Sequence, residues 1–166
     1  MIRNARAEDL SSVLKIYQEA KNFIASYNSP QWQDHGPDEN SFWRDLNNNA
    51  LFVNEQEEGI SAVMSLYFSE PTYNKVYGGA WPKNSTPYAV IHRIAIASSS
   101  HHQGLATQFF DYVKTIKPIK SIRIDTHEMN IPMRNLLIKS GFIFVGVIFL
   151  SYEKDNQRLA YCLKIK

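Results

Sequence analysis

Cysteine is almost missing from this chain: Cys162 is the single one in 166 residues, which leaves nothing for an intrachain disulfide to join. A disulfide-stapled secreted scaffold is excluded on that count, and a lone thiol in an alternating run suits a strand in a reducing cytoplasm. Long apolar runs are missing too. No stretch approaches the roughly 20 residues that a membrane-spanning helix needs, and Met1 to Arg6 lacks the apolar segment of a signal peptide. Charge of one sign is not in excess: eighteen Lys and Arg against sixteen Asp and Glu give a net +2, scattered along the chain. That balance argues against nucleic acid or an anionic membrane as partner. Repeats, low-complexity tracts and linkers rich in Pro, Gly or Ser are absent, so residues 1–166 read as one domain. The expectation is a cytoplasmic protein serving a small or locally recognised ligand. What is present, 44% hydrophobic and 13% aromatic residues, suffices for a continuous core.

Leu10, Val13, Leu14, Tyr17 and Ala20 recur at helical spacing after a short first strand, and Phe42, Trp43 and Leu46 mark a second helix after Pro37-Asp38. An aromatic loop with Tyr27, Pro30, Trp32 and His35 lies between them. Strands near Ala50 to Asn54 and Ile60 to Phe68 flank a polar turn as a hairpin, and a long loop runs from Glu70 to Pro87. Tyr88 to Ile96 reads as a buried strand. After Ser98-Ser99-Ser100 a helix follows, with Leu105, Phe109, Val113 and Ile116 as its apolar stripe and Pro118 as its stop. Ser121 to Thr126 is a further strand. Asn130 suits an N-cap, Pro132 a first turn and Gly141 a left-handed end of the next helix. Phe142 to Leu150 and Arg158 to Lys164 form a closing antiparallel pair. The sum is an α/β chain with a mixed sheet and about four helices.

A helix that starts directly after a buried strand gathers unpaired N–H groups and the positive end of its dipole at one point, where a phosphate binds without a basic side chain. Gly104 and Ala106 permit close main-chain approach there. The segment His101-His102-Gln103-Gly104-Leu105-Ala106 resembles the coenzyme-binding motif of the GNAT N-acetyltransferases, in which Gln or Arg, two residues, Gly, one residue and Gly or Ala follow in order. His101 departs at the first position. Ile91 to Ile96 is similar to the family's central strand, Asn130 to Phe142 to its later helix, and Gln31-Trp32 with Gly36-Pro37 to a loop of many bacterial members. The resemblance implies the GNAT acyl-CoA N-acyltransferase fold, a mixed, mainly antiparallel sheet of about seven strands with about four helices.

It also implies a division of labour. Acetyl-CoA is the acyl donor, with pantetheine along Ile94, Ala95 and Ile96. Its pyrophosphate lies on the turn and helix start from His101 and His102 through Gln103, Gly104, Leu105 and Ala106 to Thr107, and Asn130 and Met133 stand beside the arm. Asn130 as an ordinary helix cap is the competing reading. The partner is an amine, which must lose a proton to attack. His92, on the face of Val90 and Ile94 by simple alternation, is the first candidate base, with His127 and Glu128 as alternatives. The family's tyrosine acid falls on Leu137, and Tyr152 is a substitute donor to the leaving thiolate. Trp32, Tyr27, Trp43, Tyr73 and Trp81 are candidate walls of the acceptor pocket, and Glu70 or Asp34 could draw in an ammonium. No metal is expected. Two other readings compete: a zinc hydrolase built on His92, Asp125 and His127, and a sensor that binds the coenzyme without turnover. The closing strands serve equally as core or as the face of a homodimer.

Overall fold

The computed structural model of the chain describes residues 1–151 and 154–166. Among the described residues, seven strands form one sheet and four α-helices pack on it. In chain order these are β1 (Ile2–Asn4), α1 (Leu10–Ala25), α2 (Glu39–Asn47), β2 (Leu51–Gln56), β3 (Gly59–Tyr67), β4 (Tyr88–Ile96), α3 (Leu105–Lys114), β5 (Ser121–Thr126), α4 (Ile131–Lys139), β6 (Ile143–Phe149) and β7 (Gln157–Lys164). The sheet order is β1-β2-β3-β4-β5-β7-β6. Among the described residues only β4 and β5 run parallel and the other neighbours are antiparallel, as the family resemblance implies.

Local chemistry explains the elements that carry the site. Val13, Ile16, Tyr17, Ala20 and Ile24 repeat at helical spacing and bury one face of α1. Asp38 starts α2: its carboxylate accepts from the Ser41 N–H at 2.9 Å, and the Ser41 hydroxyl accepts from the Asp38 N–H at 3.3 Å. Two layers result. Phe109, Phe110 and Leu137 of α3 and α4 cover Ile91 on one face of the sheet, while Val13, Tyr17 and Phe42 cover Val63 and Ala95 on the other. α3 is shorter than its apolar stripe suggests; Ile116 packs on the core from beyond its end at Lys114.

The long loop between β3 and β4 lies against the edge strand β6. A Cβ at Gly79 would sit 1.9 Å from the Val145 carbonyl oxygen, so only glycine fits that approach. Tyr77 and Val147 then exchange N–H···O bonds of 2.8 and 2.9 Å. Beneath this loop Tyr73, Val90, Ile148 and Cys162 make a third apolar cluster. β4 pairs with β5 only at Tyr88, Ala89 and Val90; beyond Val90 no pairing joins them, and β4 continues to Ile96. Among the described residues no helix is long and apolar enough to cross a membrane.

Candidate active site

The centre of the site is an irregularity in β4. Its register with β3 shifts between the pairs Ala95–Val63 and His92–Ser65, and Arg93 takes φ +48°, a left-handed conformation uncommon for a residue with a side chain. Asp45 of α2 holds it there. This wholly buried carboxylate accepts from Arg93 Nε at 2.7 Å and Nη2 at 2.9 Å, from Ser65 Oγ at 2.6 Å, and from the Tyr67 hydroxyl. Burial alone would raise the Asp45 carboxyl; the charge of Arg93 and the hydroxyl donors outweigh it and keep the group below the usual carboxylate range. The bulge corrects the alternation expected from sequence. The inserted residue turns Ile94 over, so that Ile94 packs toward the α3 core with Ile91, while His92 stays on the side of Val90 and Tyr73.

The bulge also orders main-chain groups. The Ala97 N–H donates to Ser61 O on β3, and Ala95 pairs with Val63 on the same strand. The alternate residues Ile94 and Ile96 therefore turn their N–H and C=O groups toward the gap beside β5. At the end of that gap stands the start of α3. Gly104 occupies its N-cap at φ +72° with no side-chain cap, leaving the N–H groups of Leu105, Ala106 and Thr107 without intrahelical partners. A Cβ on Gly104 would meet nothing within 4 Å, so the turn faces open space. His102 is left-handed as well, at φ +64°, and the His101 ring packs edge-on against Phe23 at 4.8 Å. Gln103 immediately precedes the cap.

A cavity of about 740 Å³ opens between α1, α2 and the β4–β5 gap. His92, Glu70, Asp125, Trp32, Gln31 and Met133 are among the residues that line it. Glu70 is fixed at both oxygens: Oε1 accepts from the Thr72 N–H and hydroxyl at 3.1 and 2.8 Å, and Oε2 lies 2.7 Å from His92 Nε2. Burial would raise this carboxyl, but the hydrogen bond and charge of His92, with the Thr72 donors, bring it down to about 2. A carboxylate can only accept, so the shared proton belongs to Nε2, which leaves Nδ1 as the ring nitrogen that can exchange a proton with a ligand. Asp125 accepts from the Tyr73 hydroxyl at 2.6 Å.

Several expected residues stand elsewhere. Tyr27 is exposed and packs on Phe23, Trp43 donates to Glu39 on the surface, and Trp81 donates to Tyr73 O with its ring under the Arg123 guanidinium. None of the three lines the cavity; Trp32 and Asp34 do. His127 and Glu128 line a separate recess of about 70 Å³. Burial holds the His127 imidazole below the ordinary histidine value; its Nδ1 accepts from the Met129 N–H and its Nε2 lies 2.9 Å from Asp155. The zinc reading fails on the same geometry. His92, Asp125 and His127 each take a different partner, and no group of three such side chains converges among the described residues. Leu137 is wholly buried in the core, and Tyr152 lies outside the described residues. Asn130 does cap α4, accepting from the Met133 N–H at 3.3 Å, and also donates to Gln31.

Sequence reasoning missed the partnership of Glu70 with His92, the clamp of Asp45 on Arg93, and Gln31. One signal was there to be read: His92-Arg93 places two polar residues in succession in an otherwise apolar strand, which breaks the alternation and marks a bulge.

No protein-family model matches the chain, and no curated protein does. Solved structures do match. An acetyltransferase of the GNAT family from Streptococcus agalactiae is 31% identical, with a TM-score of 0.89 over 100% of this chain and 95% of that one. A GNAT-family acetyltransferase from Listeria monocytogenes (17% identity, TM-score 0.72, 99% and 94% covered) shares the fold. So does the ribosomal-protein-S18-alanine N-acetyltransferase from Escherichia coli (15%, 0.67, 100% and 94%). The seven-stranded mixed sheet and its four helices match the acetyltransferase fold of these structures. The chain is a member of the GNAT family of acetyltransferases.

Proposed function

We propose that this chain is a cytoplasmic N-acetyltransferase that moves the acetyl group of acetyl-CoA onto a primary amine bound in the cavity, by direct attack on the thioester. The observation that carries the reading is the His92–Glu70 pair, set in the cavity wall one residue before the β4 bulge. The resemblance of the Gly104 turn to the family's coenzyme motif supplies the donor. The N–H groups from Leu105 to Thr107 receive the pyrophosphate, the β4 groups of Ile94 and Ile96 pair with the pantetheine amides, and Met133 and Asn130 border the arm.

The reaction forms a C–N bond and breaks the C–S bond of the thioester. An alkyl ammonium with a pKa near 10.4 must first lose a proton, which costs about 4–5 kcal/mol at neutral pH. Nδ1 of His92 takes that proton, and the ionised Glu70 steadies the imidazolium that results. The oxyanion meets a main-chain N–H beside the bulge, an interaction worth about 2–4 kcal/mol. The thiol, with a pKa near 8.5, leaves as its anion at a cost of about 2 kcal/mol, so no tyrosine acid at position 137 is required. An acyl-cysteine route has no support: Cys162 is buried, and burial pushes its thiol up.

Free coenzyme A, followed by its thiol across a panel of primary amines, tests the reading. Thiol release should depend on the amine. Gly104→Trp should abolish coenzyme binding, with a melting temperature lowered only by the strain of a side chain at φ +72°, and His92→Gln should keep binding while lowering kcat by about 10²–10⁴-fold. Saturable coenzyme binding without amine-dependent release would leave a sensor in place of an enzyme, and undiminished affinity in Gly104→Trp would overturn the phosphate site.

A further inference from the structure

One buried amide in the cavity wall has no part in the scheme above. Gln31 is 7% exposed, and its Oε1 accepts from the Thr126 hydroxyl at 3.3 Å, the His127 N–H at 3.4 Å and Asn130 Nδ2 at 3.1 Å. A main-chain N–H can only donate, so the oxygen of the amide, and not its nitrogen, must face His127. Nε2 is directed away from that cluster. It has no partner among the described residues and is not among their sealed, unpaired polar atoms. Gln31 is among the residues that line the cavity.

The loop that carries Gln31 is held from several sides. The Gln31 N–H donates to Ser29 Oγ at 3.3 Å, and Gln33 Nε2 donates to Gln31 O and to Lys21 O, each at 3.1 Å. Trp32 is kept at φ +66°, and Gly36 lies so near that a Cβ would come within 2.6 Å of Trp32 O. A donor on such a loop is oriented before any ligand arrives. It sits over the end of β5, while His92 belongs to β4. The two residues line the same cavity, on either side of the gap that opens between β4 and β5 beyond Val90, so one small molecule in it can meet both.

We infer that Gln31 sets acceptor specificity: its free amide hydrogens receive an oxygen that the acceptor carries a few bonds from its reacting amine. The acceptor class is then the α-amino carbonyl compounds, meaning amino acids, their amides and peptide amino termini, in preference to plain alkylamines. This rests on the reading of the cavity as an amine-acetylation site.

The test compares L-alaninamide with sec-butylamine, in which an ethyl group stands in place of the carboxamide and no oxygen is present, by kcat/KM for coenzyme A release. The two amines differ in basicity, so the readout is the change in their ratio on mutation. Gln31→Glu keeps an oxygen for Thr126, His127 and Asn130 but replaces the hydrogens with a second oxygen. The ratio should move toward sec-butylamine by about tenfold, the worth of one good hydrogen bond, while KM for acetyl-CoA stays within about twofold. Should that variant not fold, Gln31→Met, which also lacks the hydrogens, should move the ratio in the same direction. A peptide beginning with alanine, run beside L-alaninamide, separates a peptide end from a free small molecule as the source of the group. An unchanged ratio overturns the inference and leaves the acetyltransferase reading intact. A rise in KM for acetyl-CoA in place of the ratio change overturns it in favour of a coenzyme contact, and no release with any amine overturns both readings.

Discussion

On the α3 side of β4 the groups offered to a ligand are main-chain ones: those of Ile94 and Ile96 beside the gap, and the uncapped N–H groups after Gly104. On the α2 side they are side chains that hold one another, His92 on Glu70, Tyr73 on Asp125 and Arg93 on Asp45. The first kind of site needs only that the chain follow a path, which a glycine and a few small residues permit. The second needs particular residues brought together from distant places, each costing desolvation that its partners must offset. Side-chain changes should therefore be costly on the α2 side and mild on the α3 side.

The largest effect should come at Asp45. Asp45→Asn leaves the Arg93 guanidinium, only 16% exposed, facing a neutral amide, and removal of one partner from a buried ion pair costs about 3–5 kcal/mol. Urea unfolding should show the extrapolated stability falling by that amount, through a lower midpoint at constant slope. Replacing both residues, as Asp45→Leu with Arg93→Met, should recover part of the loss. A fall below about 1 kcal/mol for Asp45→Asn would place the pair with ordinary surface bridges and break the contrast.

The same division explains what the sequence discloses. Gly104 and Ala106 lie directly after an apolar strand, and Asn130, Pro132 and Gly141 punctuate the following helix, so the elements beside the gap are marked by neighbours in sequence. Asp45 and Arg93 are 48 residues apart, and Gln31 and Asn130 are 99 apart, with no local pattern announcing either contact. Aromatic residues mislead for a related reason. Trp81 sits in a polar loop and reads as a pocket wall, yet Arg123, itself buried, needs the faces of Trp81 and Tyr88 at 4.2 and 3.8 Å.

A smaller and pH-dependent effect tests Glu70. Its carboxyl moves from an ordinary value of 4.5 down to about 2 in the folded chain. The fold therefore favours the ionised form. The stability that this contributes is complete above pH 4.5 and is lost as the pH falls through about 2. Glu70→Gln cannot titrate, so the wild-type advantage in melting temperature should shrink steadily as the pH falls from 4.5 toward 2. An advantage that persists unchanged to pH 2 would mean that Glu70 is not held as the carboxylate partner of His92.

The smallest effect is expected at Thr107, and its smallness is the point. Thr107 is exposed on the first turn of α3, and in the proposed site its hydroxyl would meet the pyrophosphate beside a main-chain N–H that any residue supplies. Thr107→Ala removes the hydroxyl and keeps the N–H, the helix and the dipole. If the main chain holds the pyrophosphate, acetyl-CoA affinity measured by titration calorimetry should fall by less than about threefold, within the range of one solvent-exposed neutral hydrogen bond. Gly104→Trp, which fills the open space at the cap, sets the opposite limit on the same assay. A loss of tenfold or more for Thr107→Ala would show that a side chain recognises the phosphates here. The two sides of β4 would then be built on the same plan.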